Sequence, residues 1–243
     1  MTKITRVFIL AAGTSRRFGG KILKQELLIN GEKIIRRTIR QVLEYNSKLQ
    51  IYILTWHKSL MFIDVNVINT KLRPQELSDT ILLSRPYWKE WNIILLGDVV
   101  YSDDALKKIL SNNNGITIFG RDKCPTKPGS ERFALSFPIE QSEYITNLLQ
   151  RASKTFRKDK WEGHGGMKKI CWSTHPNWLL PFVSDIPTYL FIRPFRDYFI
   201  YHIYTTSWHP ASPTSLELIN DPITTDIDTP EEYAAFLALG VTQ

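Results

Sequence analysis

Hydrophobic residues in the first 120 positions fall into short continuous runs that alternate with amphipathic stretches. The runs Arg6–Leu10 and Asn92–Leu96 are apolar almost throughout and rich in β-branched residues, which is typical of strands buried on both faces. Between such runs, Glu32–Tyr45 repeats Ile, Val and Leu at helical spacing and places most of its arginines on the opposite face. Strands that alternate with helices predict a parallel sheet covered on both faces.

The same patterns place the remaining elements. Strands are predicted at Arg6–Leu10, Gln50–Thr55, Asp64–Ile68, Asn92–Leu96, Gly115–Phe119, Ala134–Pro138 and Phe199–Thr205. Helices are predicted at Glu32–Tyr45, Glu76–Trp88, Asp103–Leu110, Ser142–Thr155 and Pro230–Leu239. The predicted fold class is therefore α/β, a Rossmann-like three-layer sandwich around a mostly parallel central sheet.

Composition adds limits to this picture. The 243 residues, 43% hydrophobic and 23% charged, are enough for one globular core. Apolar runs fall short of the ~20 residues that span a bilayer, and the first residues lead directly into a strand. We therefore expect a cytoplasmic protein with no membrane partner. Cys124 and Cys171 lack nearby Cys or His and are interpreted as reduced thiols rather than zinc ligands.

The positive charge is concentrated at one end of the chain. Residues 1–40 contain ten Lys and Arg against two Glu, a net charge of +8, whereas the whole chain carries +7. The excess therefore belongs to the loop after the first strand and to the helix that follows. A local anion site explains this distribution better than a long nucleic-acid track does.

That loop has the chemistry of a phosphate site. The strand ends in Ala11-Ala12-Gly13, and small residues let backbone N–H groups approach an anion closely. Four cations follow: Arg16, Arg17, Lys21 and Lys24. The segment contains neither Gly-x-x-x-x-Gly-Lys-Ser/Thr nor Gly-x-Gly-x-x-Gly, which argues against an ATPase-type loop and a dinucleotide fold.

Two acidic features also follow predicted strands or extended stretches. Asp98 comes directly after the strand that ends at Leu96-Gly97, and Asp226-Ile227-Asp228 points both carboxylates the same way if it is extended. Ligands bind at the carboxyl ends of strands in open α/β sheets. Alone, each aspartate is more often a cap or turn residue. Together with the cationic loop, they suit a magnesium–nucleotide complex.

These motifs resemble the nucleotidyltransferase superfamily with a glycosyltransferase-A-like fold, which includes MobA-like NTP transferases and cytidylyltransferases. The family's opening signature, Leu-Ala-Ala-Gly-x-(Gly/Ser)-x-Arg-(Met/Phe)-Gly followed by Pro-Lys, is matched by residues 10–19 and by Leu23-Lys24. The continuation Lys24-Gln25 is most similar to cytidylyltransferases. The resemblance implies the sheet architecture of nucleotide-diphospho-sugar transferases and a site shared by Mg2+ and a triphosphate.

The resemblance also assigns roles to residues. It implies that Arg17 and Lys24 are the catalytic cations on the triphosphate, and that Asp98 and Asp228 hold Mg2+. Ser78 and Thr80 correspond to a segment that lies against the base in relatives. The expected nucleotide-binding set is Leu10, Ala11, Ala12, Gly13, Thr14, Ser15, Arg16, Arg17, Lys24, Ser78, Thr80 and Gly97.

The reaction expected from this resemblance transfers a nucleoside monophosphate from Mg-NTP, with CTP favoured, to a small phosphorylated acceptor such as a sugar phosphate, releasing pyrophosphate. Leu23 replaces the usual proline. Some cytidylyltransferases of isoprenoid synthesis use a second lysine shortly before the last acidic motif, whereas this chain has no lysine after Lys169. A methylerythritol acceptor is therefore not expected. Arg193 or Arg196 is a candidate for the missing cation, and the loop 163–169, with His164, is a candidate cover for the acceptor.

We expect one domain, with a nucleotide-binding half at 1–120, an acceptor region or lid at 121–225, and a metal motif and helix at 226–243. Two other classes stay open on sequence alone. A nucleic-acid-binding protein would use the basic charge and the seven tryptophans, and would show salt-dependent oligonucleotide binding without pyrophosphate release. A glycosyltransferase of the same fold would carry Asp-x-Asp after a central strand, where this chain has Asp98-Val99-Val100.

Overall fold

The computed structural model describes residues 3–15, 18–19, 22–61, 64–71, 74, 77–121, 131–161 and 214–240. The strands are β1 (Thr5–Leu10), β2 (Leu28–Ile29), β3 (Glu32–Lys33), β4 (Gln50–Thr55), β5 (Asn66–Asn69), β6 (Trp91–Leu96), β7 (Val99–Val100), β8 (Ile116–Arg121), β9 (Glu131–Pro138), β10 (Thr214–Leu218) and β11 (Thr225–Asp226). The helices are α1 (Ile34–Tyr45), α2 (Leu77–Leu83), α3 (Asp103–Ser111), α4 (Ser142–Trp161) and α5 (Pro230–Ala238).

Seven strands form the central sheet in the order β10-β8-β9-β6-β1-β4-β5. β1 lies between β6 and β4 and pairs with both in parallel, and β5 and β10 also pair in parallel with their neighbours. β9 runs antiparallel to both β6 and β8. The predicted α/β fold with a mostly parallel sheet is confirmed. The direction of β9 was not predictable from its apolar run, because such a run is buried equally well in either direction.

A β-hairpin precedes α1 where the sequence predicted the start of the helix. Asn30 and Gly31 both have positive φ, 51° and 79°, and they join β2 to β3 in antiparallel register. Asn-Gly is the preferred pair for such a turn. The helix therefore begins at Ile34 rather than at Glu32.

The buried face of α1 also differs from the prediction. Arg37 is buried and Leu43 is exposed, because the helix turns a partly polar face toward the start of α3. On this face Gln41 Nε2 donates to Tyr101 O at 3.2 Å. Amphipathic periodicity locates a helix but does not show which polar side chains its neighbours enclose.

Smaller differences concern element ends. Pro86 terminates the predicted helix 76–88, so that α2 ends at Leu83 and a 3₁₀ turn follows at Arg85–Tyr87. Two-residue strands such as β7 and β11 have no hydrophobic period and were not predicted, and neither was β10. The predicted strand Phe199–Thr205 and the loop with His164 lie outside the described residues, as do Arg193 and Arg196.

Two apolar clusters stabilise the described part of the molecule. The larger surrounds the central sheet, where every residue of β6 is buried. The second joins the hairpin, the start of α1, β7 and the C-terminal segment; it consists of Leu27, Ile29, Ile34, Val100, Ile227 and Phe236. This second cluster packs the end of the chain onto its beginning. None of the described helices is long and apolar enough to cross a membrane.

Candidate functional site

The carboxyl ends of β1 and β6 lie side by side and bring two predicted motifs together. Leu10 and Leu96 are paired in register, and the Gly97 N–H donates to Leu10 O at 2.9 Å. A Cβ on Gly97 would lie 2.8 Å from that carbonyl oxygen, so only glycine fits this approach. Asp98 follows immediately, beside the start of the loop 11–15.

Lys24 approaches from a tight turn after the predicted phosphate loop. It begins a 3₁₀ turn at Lys24–Glu26, and its backbone N–H donates to Ser15 Oγ at 2.8 Å. Ser15 has a positive φ of 49°, which bends the chain at this point. Gln25 is buried beneath the loop, with its Nε2 3.6 Å from the position of a Cβ on Gly13. Together, these contacts direct the Lys24 side chain toward Asp98.

The C-terminal acidic segment is fixed against the same place. β11 pairs with β7, the short strand that follows Asp98, and the Ile227 N–H reaches Asp98 O at 3.4 Å. Ile227 points into the second apolar cluster. Alternation then places Asp226 and Asp228 together on the opposite side. Thr229 caps α5 directly afterwards by accepting from the Glu232 N–H.

The result is one ammonium group surrounded by three carboxylates. Lys24 Nζ lies 2.6 Å from Asp98 Oδ2, 3.0 Å from Asp228 Oδ1 and 3.6 Å from Asp226 Oδ1. Only 12% of the Lys24 side chain is exposed. Lys24 and Asp228, which are 204 positions apart in sequence, thus form a direct hydrogen bond.

Electrostatics keeps this lysine charged. Burial by itself lowers the pKa of Lys24, but the carboxylates of Asp98, Asp226 and Asp228 outweigh that effect and hold the pKa above its ordinary value. The cluster is then one cation against three anions. Such an arrangement has a net negative charge and favours additional positive charge.

The three aspartates also fit a divalent cation. One carboxylate oxygen from each lies within 4.8 Å of the others, and carboxylate oxygens are the ligands of hard divalent ions. The ammonium group between them shows that this space suits a cation. No other such group of metal-ligating side chains occurs in the part of the chain that the structure describes.

The predicted site residues divide into three groups. Lys24, Asp98 and Asp228 lie together, next to Gly97, the end of β1 at Leu10, and the loop of Ala11, Ala12, Gly13, Thr14 and Ser15. Ser78 and Thr80 are both buried in α2. Arg16 and Arg17 lie outside the described residues.

Asp226 is a member of the cluster that the predicted metal set omitted. Its position two residues before Asp228 was the signal in the sequence that could have identified it.

An apolar pocket is a second feature that sequence patterns did not indicate. It lies between α2 and the sheet and is lined by Leu10, Leu77, Ile81, Leu96 and Phe133, among others. Ser78 in α2 has a fully buried hydroxyl with no hydrogen-bond partner among the described residues.

Comparison with known proteins places this geometry in context. Residues 7–157, more than half of the chain, match the family model of the MobA-like NTP transferase domain. Comparison with curated proteins gives no sequence match.

Several solved structures share the fold at low sequence identity. CTP:phosphocholine cytidylyltransferase from Streptococcus pneumoniae superposes with a TM-score of 0.60 at 12% identity, over 98% of this chain and 99% of the other. Rv0371c from Mycobacterium tuberculosis H37Rv gives 0.58 at 14% identity, over 98% and 100%. 4-Diphosphocytidyl-2C-methyl-D-erythritol synthase from Anaerococcus prevotii gives 0.55 at 11% identity, over 98% and 99%.

Proposed function

The chain belongs to the family of MobA-like NTP transferase domains, and on that premise we propose that it transfers a nucleoside monophosphate from a magnesium-bound nucleoside triphosphate to a small phosphorylated acceptor. CTP is the favoured donor, and pyrophosphate is the second product. The main observation behind the proposal is the cluster at the carboxyl ends of β1 and β6. There Lys24 contacts Asp98, Asp226 and Asp228 beside the loop 11–15.

In the proposed reaction, an oxygen of the acceptor's phosphate forms a bond to the α-phosphorus of the triphosphate. The bond between the α-phosphorus and the bridging oxygen of the leaving pyrophosphate breaks. A phosphate monoester is already anionic, so the step needs no general base. Positioning and charge stabilisation are then the main contributions of the protein.

The residues supply that charge stabilisation in different ways. Asp98, Asp226 and Asp228 would hold Mg2+, which would offset the negative charge of the phosphates. Lys24 contacts a phosphate oxygen, and its ammonium leaves the carboxylates to do so. Arg17 adds a second cation to the triphosphate, and backbone N–H groups of the loop 11–15 add hydrogen bonds.

Base and acceptor are the finer parts of the proposal. The pair Lys24-Gln25 and the fold shared with two cytidylyl enzymes support CTP. We place the base near α2, where the buried hydroxyl of Ser78 lacks a partner among the described residues and Thr80 lies two residues further along the helix. A sugar phosphate or phosphocholine fits the acceptor class.

The test is a grid of substrates scored for pyrophosphate. The protein is incubated with Mg2+ and each of the four nucleoside triphosphates against sugar phosphates, alditol phosphates, phosphocholine and phosphonates. We expect release with CTP and one acceptor, and a loss of about 100-fold or more in Asp98→Asn. Asp104→Asn, at an exposed position in α3, is the control and retains the parent rate.

Two results contradict the proposal. The first is a folded protein that releases no pyrophosphate with any pair of substrates. The second is an Asp98→Asn variant that turns over at the parent rate, because the carboxylate would then have no part in the reaction.

A further inference from the structure

Three consecutive side chains at the end of β4 bind three consecutive carbonyl groups of the loop after β1. Thr55 Oγ1 donates to Ala11 O at 3.1 Å, and Trp56 Nε1 donates to Ala12 O at 2.9 Å. His57 Nε2 lies 2.7 Å from Gly13 O. A carbonyl oxygen can only accept, so His57 Nε2 carries a proton and donates it to this bond. We call Thr55, Trp56 and His57 the carbonyl clamp.

The members of the clamp also hold each other. The His57 backbone N–H donates to Thr55 Oγ1 at 3.0 Å, so this hydroxyl both accepts and donates. The rings of Trp56 and His57 lie 4.2 Å apart between centroids. An aromatic pair at this distance restricts both side chains. The clamp is therefore a connected unit.

The direction of the carbonyl groups fixes the direction of the N–H groups. In a trans peptide the C=O and the following N–H point in opposite directions, and no described peptide is cis. The carbonyls of Ala11 and Ala12 face the clamp, so the N–H groups of Ala12 and Gly13 face away from it. Neither N–H donates to another described residue.

The position of β1 in the sheet shows what lies in that direction. β4, which leads into the clamp, pairs with one side of β1, and β6, which leads into Asp98, pairs with the other. N–H groups that face away from the clamp therefore face the side of Asp98 and Lys24. Oriented N–H donors next to a cation form a site for phosphate oxygens.

We infer that Thr55, Trp56 and His57 are positioning residues that orient the Ala12 and Gly13 N–H groups toward the phosphates of the nucleoside triphosphate. The inference rests on the proposed function and deepens it. The clamp does not touch the substrate. Instead, it holds the peptide planes before binding, so that the triphosphate meets donors that are already aligned.

The test compares nucleotide affinity in variants that remove one donor but keep the shape. Thr55→Val, Trp56→Phe and His57→Phe each lose a single hydrogen bond to the loop, and both phenylalanines preserve a ring. Calorimetric titration with CTP in magnesium buffer is expected to show affinity reduced about three- to tenfold in each. His57→Gln can donate from Nε2 and is expected to restore most of the affinity lost in His57→Phe.

Matched controls separate positioning from general stability. Trp88→Phe removes an indole donor to Ser84 Oγ, and Thr38→Val removes a hydroxyl donor to Ile34 O. Neither group touches the loop. Both controls are expected to lower the unfolding midpoint as the clamp variants do, yet to bind CTP as the parent does.

The outcomes are distinct. A parent protein that binds none of the four triphosphates contradicts the proposed function itself. A parent that binds CTP, with clamp variants equally tight, overturns the clamp. Equal weakening in Trp88→Phe also overturns it, because the effect would then follow from stability. Weakening confined to the clamp variants, with rescue by His57→Gln, supports it.

Discussion

At the scale of single residues, the contacts of the Lys24 ammonium group are the central feature of the site. Its ammonium lies among the same carboxylates that we propose as metal ligands. A lysine and a divalent ion cannot both occupy that space. In the proposed function, Lys24 would therefore compete with the metal when no nucleotide is bound. A triphosphate would remove this competition, because it would offer the ammonium other oxygens.

Lys24→Met is expected to bind Mn2+ more tightly than the parent in the absence of nucleotide, because three carboxylates lose their internal counter-cation. We expect a gain of roughly tenfold, equivalent to about 1.4 kcal/mol, measured from the free Mn2+ signal in electron paramagnetic resonance. The control is Lys33→Met, which removes an exposed lysine paired with Glu26. Unchanged Mn2+ affinity in Lys24→Met would show that the ammonium does not obstruct the ion.

Asp226→Asn tests the carboxylate that the sequence motif did not assign. Asp226 is 1% exposed and faces Lys24. An amide of the same shape is expected to lower kcat/KM by about 100-fold and to raise the Mn2+ concentration that gives half-maximal binding. A variant with parent kinetics and parent Mn2+ binding would limit the metal set to Asp98 and Asp228.

Sequence patterns predicted some of these residues and not others, for identifiable reasons. Asp98 was predicted because it directly follows a buried strand, and Asp228 was predicted because its motif resembles the family's second acidic motif. Lys24 was predicted from its motif, but its contacts with carboxylates depend on a turn that Ser15 creates. Trp56 and His57 reach the loop through long side chains, and no spacing in sequence shows that contact.

At the scale of elements, the junction of β1 and β6 is the part of the site with least tolerance. The two strand ends approach so closely that any side chain at position 97 meets the Leu10 carbonyl. The second apolar cluster has a related role, since it holds Ile227 and thereby orients the carboxylates on both sides of it. Packing at element ends thus determines the geometry of the charges.

Gly97→Ala is expected to destabilise the protein by about 1–3 kcal/mol, because a Cβ 2.8 Å from a backbone oxygen forces the strands apart. The free energy of unfolding in urea measures this cost. Gly13→Ala is the comparison, since its Cβ would meet only Gln25 Nε2 at an ordinary 3.6 Å. Equal stability of the two variants would contradict the close approach.

Ile227→Ala is expected to cost about 2–4 kcal/mol of unfolding free energy, because it leaves a cavity in the second apolar cluster. Leu237→Ala, at a position 46% exposed in α5, should cost less than about 0.5 kcal/mol. Urea denaturation of both variants provides the measurement. A small loss in Ile227→Ala would show that the cluster does not hold the acidic segment.

Element prediction from sequence succeeded where the pattern was long and failed where it was short. Continuous apolar runs located β4 with its observed bounds and β6 to within one residue. The hairpin of β2 and β3 was not predicted, because each of its strands has only two residues and shows no hydrophobic period. The pairing of β7 with β11 is a tertiary contact between two-residue segments and has no local signal.

At the scale of the whole molecule, the fold joins distant parts of the chain around one site. The carboxyl ends of β1 and β6 form the base of the site, the turn at Lys24 supplies the cation, and β11 with the residues that follow it supplies the carboxylates of Asp226 and Asp228. The sheet class followed from strand–helix alternation. The position of β10 beside β8 did not, because it depends on a crossover between elements far apart in sequence.

A ligand that contacts all these parts should stabilise the molecule globally. A ligand at 100 times its dissociation constant adds about 2.7 kcal/mol to the free energy of unfolding. We expect CTP with Mg2+ to raise the midpoint of thermal unfolding more than either alone. Mg2+ alone should have little effect while Lys24 occupies the cluster. Differential scanning fluorimetry measures the midpoint for the protein alone, with Mg2+, with CTP, and with both. If Mg2+ alone raised the midpoint as much as CTP and Mg2+ together, competition between Lys24 and the metal would be contradicted.

The separation of 204 positions between Lys24 and Asp228 also sets a time scale during protein synthesis. A ribosome that adds about 5–20 residues per second needs about 10–40 s to make the second partner after the first. For most of that interval the nascent chain has Lys24 and Asp98 but neither Asp226 nor Asp228. The cluster of one ammonium and three carboxylates therefore cannot form before residue 228 has been added, whatever folds before it.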